Sequence, residues 1–404
     1  MGKRSIYWIM KGFTITKIWG QGSVAATTTD ANDRKGSASP RCGESVYSII
    51  RIVSTHEASI SFAKETLQQK RSPHYNDCMR EAALFRSKTY KTIRSFFDER
   101  NYLEVDTPIL SSTIIPESTI ENFGTEFRNP FLPSQELYLL PSPELYMKQL
   151  IADGFGSVYQ ISHCFRNSEQ LGRIHNIEFS MLEYYSVGFD ENDSITLTEE
   201  LFDALEVPEL LQPPFRRMSV AEATKVYAGF DLEKTQRQRL LKEEALRLGL
   251  NVPNEPESWE ETFNRIFLTF VEPNLPQDVP LILYDYPKQI ECLAKANGPF
   301  RRRWELYGMG MELANCYYEE TDEATMSEYY RNEYARLIQN REISGGIIAD
   351  VDPSLAKTFA TMGKVSGVAL GLDRLLMGMM GRSSLEGVIL FPLSAMITDG
   401  TRNL

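Results

Sequence analysis

Ser142-Pro143-Glu144, Phe165-Arg166-Asn167, Glu312-Leu313-Ala314-Asn315 and Gly371-Leu372-Asp373-Arg374 set carboxylates and guanidiniums in a fixed order along the chain. They are too far apart to be one loop, so a fold must gather them. An arginine presents a rigid fork of donors that matches a phosphate, and a carboxylate accepts hydrogen bonds from an ammonium group. The order therefore fits a site that grips an amino acid by its amine and a nucleotide by its phosphates. When a carboxylate attacks the α-phosphorus of a nucleoside triphosphate, catalysis needs charge stabilisation and in-line positioning more than a protein base.

Each piece is weak alone. Arg166 is expected at a strand end beside a polar hairpin loop, where it could clamp a phosphate; alone it reads equally as a surface arginine paired with Glu169. Arg374 follows a glycine-containing strand and opens a helix, so it could hold a distal phosphate, with Asp373 as helix N-cap and orienter. Gly367 and Gly371 leave room for a flat ligand over that strand. Glu312 and Glu319, seven residues apart with Asn315 between, are candidate Mg²⁺ ligands at a phosphate site, or part of a solvated acidic stretch. Glu144 could receive an ammonium group or simply cap a helix. Glu183 and Tyr185 alternate with Leu182 and Tyr184 and share one strand face. A second carboxylate facing the site implies a second amine, which suits a diamino acid such as lysine.

The 404 residues suffice for one large domain or two ordinary ones. The net charge of -12 argues against a broad nucleic-acid surface. Five scattered cysteines without a C-x-x-C pair read as reduced packing thiols, and four histidines show no zinc spacing. No apolar run is long enough to suggest a membrane span. The phosphate-loop pattern Gly-x-x-x-x-Gly-Lys-[Ser/Thr] is missing.

Residues 1–76 are polar and small-residue rich and are expected to form a poorly ordered extension, or not to belong to the native chain. From residue 77 to 404 one domain is expected. A helix from Asp77 to about Arg100 precedes a short strand at Leu103-Glu104-Val105, then a strand at Gln135–Leu140 and a helix at Glu144–Ala152. Ser157–His163 and Ile177–Tyr185 read as strands around a polar loop. A helical segment is inserted over about 199–265. Arg303–Glu312 is expected as one strand, Glu323–Glu342 as a helix, and Gly367–Leu372 as a strand leading into a helix. This order suits an α+β fold with a largely antiparallel sheet of six or seven strands flanked by helices.

Three stretches resemble the signature motifs of the class II aminoacyl-tRNA synthetase catalytic domain, lysyl branch. They are Phe96 to Pro108, Phe165 to Asn176 leading into Met181-Leu-Glu-Tyr-Tyr185, and Gly367 to Arg374. Ser142 to Lys148 and Met311 to Asn315 add to the resemblance, which covers about residues 77–393. It implies a class II fold, ATP and Mg²⁺ as requirements, and lysine or β-lysine as substrate. It implies that Arg166 holds the α-phosphate and Arg374 the γ-phosphate, with both catalytic. Asn167, Glu169, His175, Asn176, Glu312, Leu313 and Gly371 fall on the ATP side. Ser142, Pro143, Glu144, Glu183, Tyr185, Glu319 and Ala369 fall on the amino-acid side, and Glu312 and Glu319 at the metal. A homodimer built around Pro108 is implied as well.

The branch includes stand-alone ligases that pass an activated amino acid to a lysine of elongation factor P instead of to tRNA. Two features favour that reading. No series of alternating strands precedes residue 77, as an anticodon-reading barrel would need. Ala369 stands where the synthetases typically carry glycine. The expectation is a cytoplasmic ligase with elongation factor P as acceptor, tRNA not a partner, and no membrane association. The alternatives are a lysyl-tRNA synthetase and a catalytically silent amino-acid-binding paralogue. One departure stands: the family reads Arg-x-Glu in its second motif, whereas this chain reads Arg166-Asn167-Ser168-Glu169. Either Glu169 slides into the adenine-contact role or Ser168 replaces it.

Overall fold

The computed structural model describes residues 7–10, 13–16, 73–169, 172–251 and 257–393. Strands β1 (Tyr7–Met10) and β2 (Phe13–Thr16) pair as an antiparallel hairpin. The expected extension otherwise lies outside the described residues as far as Pro73, where helix α1 (Pro73–Asp98) begins. Then come β3 (Leu103–Glu104), β4 (Leu110–Ser111), β5 (Phe123–Asn129), β6 (Leu132–Leu139), helix α2 (Glu144–Ala152), β7 (Val158–Phe165), β8 (Glu178–Val187) and helix α3 (Glu191–Ala204). The inserted segment holds β9 (Arg216–Ser219) and helices α4 (Gln238–Arg247) and α5 (Trp259–Ile266). The chain continues through β10 (Leu281–Pro287), β11 (Ala296–Asn297), β12 (Phe300–Gly308), β13 (Met311–Tyr318), helix α6 (Glu323–Ser344), helix α7 (Leu355–Phe359), β14 (Val365–Gly371) and helix α8 (Leu372–Met379).

The main sheet has the order β3-β7-β8-β14-β13-β12-β10-β9, with β11 beside β12, nine strands in all. It is antiparallel except at its ends, where β3 runs parallel to β7 and β9 to β10. The mixed, largely antiparallel α+β class read from the sequence is what forms, with more strands than expected. The short strand expected at Leu103-Glu104 forms as β3, and the surplus is in β9 and β11, strands of four and two residues too short to show an alternating pattern.

Alternation along the strands divides the sheet into two faces. Tyr159, Leu182, Tyr184, Trp304, Leu306, Cys316, Val368 and Leu370 face a core completed by Ile93 and Phe97 of α1, Leu201 and Phe202 of α3, and Leu375 and Leu376 of α8. Each such side chain contributes roughly 1.5–3 kcal/mol on burial. A one-residue slip would exchange them for the polar residues between them, so the core fixes which side chains reach the opposite face. That face carries Gln160, Glu183, Tyr185, Gly367, Ala369, Asn315, Tyr317, Arg303, Glu305 and Tyr307, aligned by Gln160↔Glu183↔Ala369↔Asn315↔Glu305 across five strands.

The expected strand Arg303–Glu312 proves to be the end of β12 and the start of β13, joined by Met309 and Gly310 at φ 52° and 74°. A two-residue turn with both residues left-handed is a hairpin turn, but methionine at its first position gives no sequence signal for it. The expectation of five reduced thiols is corrected too: Cys78 is disulfide-bonded, its partner outside the described residues, while Cys164, Cys292 and Cys316 are free and buried.

Candidate active site

At one end of the polar face the two sequence-singled arginines converge. Arg166 directly follows β7, and its backbone N–H donates to Ile177 at 3.0 Å, closing the β7–β8 hairpin. Its guanidinium lies over the Phe179 ring, 5.1 Å from the centroid. Its Nε is buried and has no hydrogen-bond partner among the described residues. A buried donor left unmet costs about 1–3 kcal/mol, which an anionic ligand would relieve. Arg374, in the first turn of α8, donates through Nε to the Ile174 carbonyl at 3.2 Å and through Nη1 to the Glu312 carbonyl at 2.9 Å. Burial, Arg374 and Arg166 together hold His175 below its ordinary pKa, against an opposing pull from Glu169. The same two arginines and Arg303 act on Glu312. Arg166, His175, Glu312 and Arg374 thus share one basin.

The hairpin loop differs in detail from expectation. Asn167 donates its side-chain amide to Glu121 at 3.3 Å, and the Ser168 hydroxyl donates to the same carboxylate at 2.9 Å. Asn176 is nine-tenths buried and spans two backbone groups: it donates to Glu178 at 2.5 Å and accepts from Leu393 at 3.1 Å. Both asparagines brace the loop through protein partners. Asp373 is not the helix N-cap, a position that falls to Gly371; its carboxylate accepts instead from Ser180 and Arg86. Leu313 packs its side chain into the core, and its carbonyl is what lies near Gly371.

The carboxylate pair at this end is Glu312 with Glu305. They sit two positions apart on one face of the β12–β13 hairpin, since Tyr307 pairs with Glu312. Glu305 accepts from the Tyr286 and Tyr307 hydroxyls at 2.5 and 2.9 Å and from Arg303. Although the Glu312 side chain keeps 40% of its surface open, burial and Glu305 push its pKa to about 7, opposed by Arg374, Arg303 and Arg166. The expected pair of Glu312 with Glu319 is not brought together. An extended strand rises about 3.3 Å per residue, so the seven residues of β13 hold them roughly 23 Å apart, and one ion cannot touch both. Among the described residues no group of three or more His, Cys, Asp or Glu side chains is arranged to hold a metal. Two carboxylates facing a phosphate site nonetheless suit Mg²⁺, which keeps waters and takes its other ligands from phosphate oxygens.

The other end of the face gathers the amine-binding candidates. Ser142 and Pro143 lead into α2, Pro143 being the residue before its first turn, and Glu144 opens the helix. One turn on, Lys148 (1% exposed) donates to Glu144 at 2.5 Å and lies 2.7 Å from Glu319. Glu183 accepts from the Tyr185 hydroxyl at 2.8 Å through Oε1, while its Oε2 is buried without a hydrogen-bond partner among the described residues. Burial and Glu144 raise Glu183 to about 8, opposed by its bond from Tyr185 and by Lys148. Between the two carboxylate groups β14 presents only Gly367, Ala369 and Gly371 on this face. A methyl at Gly367 would stand 2.5 Å from Tyr185 Cε1 and 2.7 Å from Glu319 Oε1.

Sequence reasoning missed Glu305, Lys148 and Glu117. Lys148 was readable as the i,i+4 partner of Glu144. Glu305 was hidden by the unrecognised turn after it. Glu117 lies on an irregular loop held to α6, where Ser118 N–H donates to Glu333 at 2.9 Å and Arg341 to the Ile120 carbonyl at 2.6 Å. Burial and Glu144 raise Glu117 to about 7, against Arg166 and Lys148, so it belongs to the same carboxylate group. No sequence period marks it.

The family model described as tRNA synthetases class II (D, K and N) matches residues 63–395. A relative from Vibrio cholerae serotype O1, named elongation factor P–(R)-β-lysine ligase, is 36% identical over 317 residues, covering 76% of this chain and 94% of the relative. Relatives of the same name from Hamiltonella defensa and Haemophilus influenzae are 35% and 34% identical, covering 77% and 76% of this chain and 94% of each relative. The paired guanidiniums, the antiparallel sheet and these matches agree: the chain belongs to the class II tRNA synthetase family and is an ATP-dependent amino-acid ligase.

Proposed function

We propose that this chain activates (R)-β-lysine or lysine as an acyl adenylate and passes it to a lysine side chain of elongation factor P, the acceptor in the name of its relatives. A substrate carboxylate oxygen attacks the α-phosphorus of ATP, and pyrophosphate leaves. The acceptor ε-amine then attacks the acyl carbon, and AMP leaves. The observation that carries the reading is the division of one sheet face into a cationic half, Arg166 and Arg374, and a carboxylate half, Glu144, Glu183 and Glu319. Arg166, with its buried unmet Nε, takes the α-phosphate, and Arg374 the γ-phosphate. Glu183, with one unmet oxygen, takes an amine of the substrate. Ser168 donates to Glu121, and the adenine contact is assigned to Glu169.

Mg²⁺ is assigned to Glu305 and Glu312, where it would supply charge neutralisation for the phosphates. A Glu305→Gln variant should then need about tenfold more Mg²⁺ for half-maximal activity. A cytoplasmic location is expected for a ligase that uses ATP and modifies a translation factor. Among the described residues no helix is long and apolar enough to cross a membrane. A homodimer is expected around Pro108, where Leu103, Ile109 and Leu110 expose 48%, 41% and 40% of their surface.

Exchange of pyrophosphate into ATP, driven separately by lysine and (R)-β-lysine, tests activation. A transfer assay offering elongation factor P and lysine tRNA side by side tests the acceptor. Acylation of tRNA alone would make the chain a synthetase, and no exchange with either amino acid would remove the ligase reading.

A further inference from the structure

Lys148 is the most deeply buried charge of the site, yet activation as described gives it no task. It reaches the carboxylate end from inside, through α2, with 1% of its side chain exposed. Its ammonium lies 2.5 Å from Glu144 Oε1 and 2.7 Å from Glu319 Oε2, over the Phe359 ring at 5.9 Å. The titratable groups facing it are Glu144 on its own helix, Glu319 at the end of β13 and Tyr330 on α6; Glu183 and Tyr185 on β8 and Glu117 on the covering loop complete the cluster. Four carboxylates therefore meet one fixed cation.

We infer that Lys148 is a positioning residue: a built-in ammonium that engages and aims Glu144 and Glu319, and leaves Glu183 and Glu117 as the open acceptors for a diamino substrate. The inference rests on the amino-acid activation proposed above and names what tunes its substrate end. Like charges a few ångströms apart cannot all stay ionised without a counter-ion. Even with Lys148 present, burial and Glu144 hold Glu319 up at about 7. With a neutral residue in its place, Glu183, Glu117 and Glu319 would lose the cation that favours their ionised forms, and the hold of Glu183 and Glu117 on a substrate ammonium would weaken. Lys148 itself stays charged, because Glu144 and Glu319 outweigh the cost of its burial.

The test compares wild type with Lys148→Gln and Lys148→Arg in pyrophosphate exchange, reading KM for the diamino acid from about pH 6 to about pH 8.5. Lys148→Gln fills most of the space and keeps a donor. The expectation is that its KM exceeds that of wild type by about tenfold or more at the acid end and approaches wild type at the alkaline end, a displacement of one pH unit or more. Lys148→Arg, which keeps the charge, should retain the wild-type profile. A KM ratio that stays constant across the range, or an arginine variant displaced like the glutamine one, would overturn the inference in favour of a packing role.

Removing one partner of a buried ion pair can unfold a protein. Circular dichroism therefore accompanies each assay. If Lys148→Gln does not fold, the charge-balanced Lys148→Gln/Glu319→Gln variant carries the test. A wild-type-like pH profile in it supports the counter-ion role, and a displaced one rejects it. Wild-type exchange with lysine or β-lysine is the control: its absence defeats the functional reading, whereas its presence with pH-independent variants defeats only the inference about Lys148.

Discussion

Asp373 Oδ2 accepts the backbone amide of Ser180 at 2.7 Å, while its other carboxylate oxygen holds Arg86 from the first helix. The residue immediately before Arg374 is thereby bound to β8 and α1 at once, and with it the start of the helix that delivers the guanidinium. Asp373 is nearly inaccessible, at 5% side-chain exposure against 19% for Arg86. Asp373→Ala leaves the buried Arg86 cation unpaired, which costs about 3–5 kcal/mol. The expected result is a lower denaturation midpoint together with loss of exchange activity, measured on the same preparation. Unchanged stability would show that this anchor does not hold the helix in place.

Arg374→Ala separates chemistry from folding. Arg374 makes two bonds to carbonyls of neighbouring segments, worth about 0.5–1.5 kcal/mol each, so the fold should survive. Exchange should fall by about a hundredfold or more, the scale on which loss of a transition-state donor acts. Near-normal exchange in a folded variant would remove the γ-phosphate role.

The carboxylates of the amine end make opposite demands on pH. Glu183 is raised from 4.5 to about 8 by burial and Glu144. Between those values the folded protein holds a proton that the unfolded chain has released. The stability tied to that proton is fully present below about pH 4.5 and is lost as pH rises through about 8. The ligand-free enzyme should therefore melt at progressively lower temperature over this window. Substrate binding runs the other way, since an ammonium group needs the ionised carboxylate, so KM should fall as pH approaches 8. Glu183→Gln should flatten both trends. Parallel melting curves for variant and wild type at every pH would contradict this assignment.

Gly367→Ala tests the pocket floor. The added methyl would stand 2.5 Å from Tyr185 and 2.7 Å from Glu319, closer than unbonded carbon comes to either kind of atom. Those two side chains must move, and the amino-acid KM should rise about tenfold or more with ATP binding preserved. Isothermal titration with ATP and with the amino acid distinguishes the two effects. Equal amino-acid affinity in the variant would place the substrate elsewhere.

The α+β class, the β7–β8 hairpin and both arginines were legible because local rules decide them: alternating apolar residues fix a strand, and a residue at its end has one place to go. Glu305 and Glu319 were not legible in their roles. Spacing in sequence becomes proximity in a helix or across a hairpin, but along one strand it becomes distance. The expected strand Arg303–Glu312 ran across the turn between β12 and β13, which hid Glu305 as the neighbour of Glu312. Asn176 was placed on the ATP side by the resemblance alone, and the fold shows both ends of its amide held by backbone. Glu117 depends on a loop whose path is set by Glu333 and Arg341 more than two hundred residues away.

The stripe Gly367-Ala369-Gly371 is almost bare of side chains, so it has nothing with which to grip the middle of a substrate. Recognition then falls to the termini, and the cleft works as a gauge of the span between two amines, indifferent to how the carbons between them are arranged. Such a gauge separates lysine from β-lysine and ornithine, since moving the amine inward by one carbon and removing a methylene both bring the two amines one carbon closer. Ornithine and β-lysine should therefore behave alike and lysine differently, and comparing all three in exchange would show whether the span between the amines is what the protein measures.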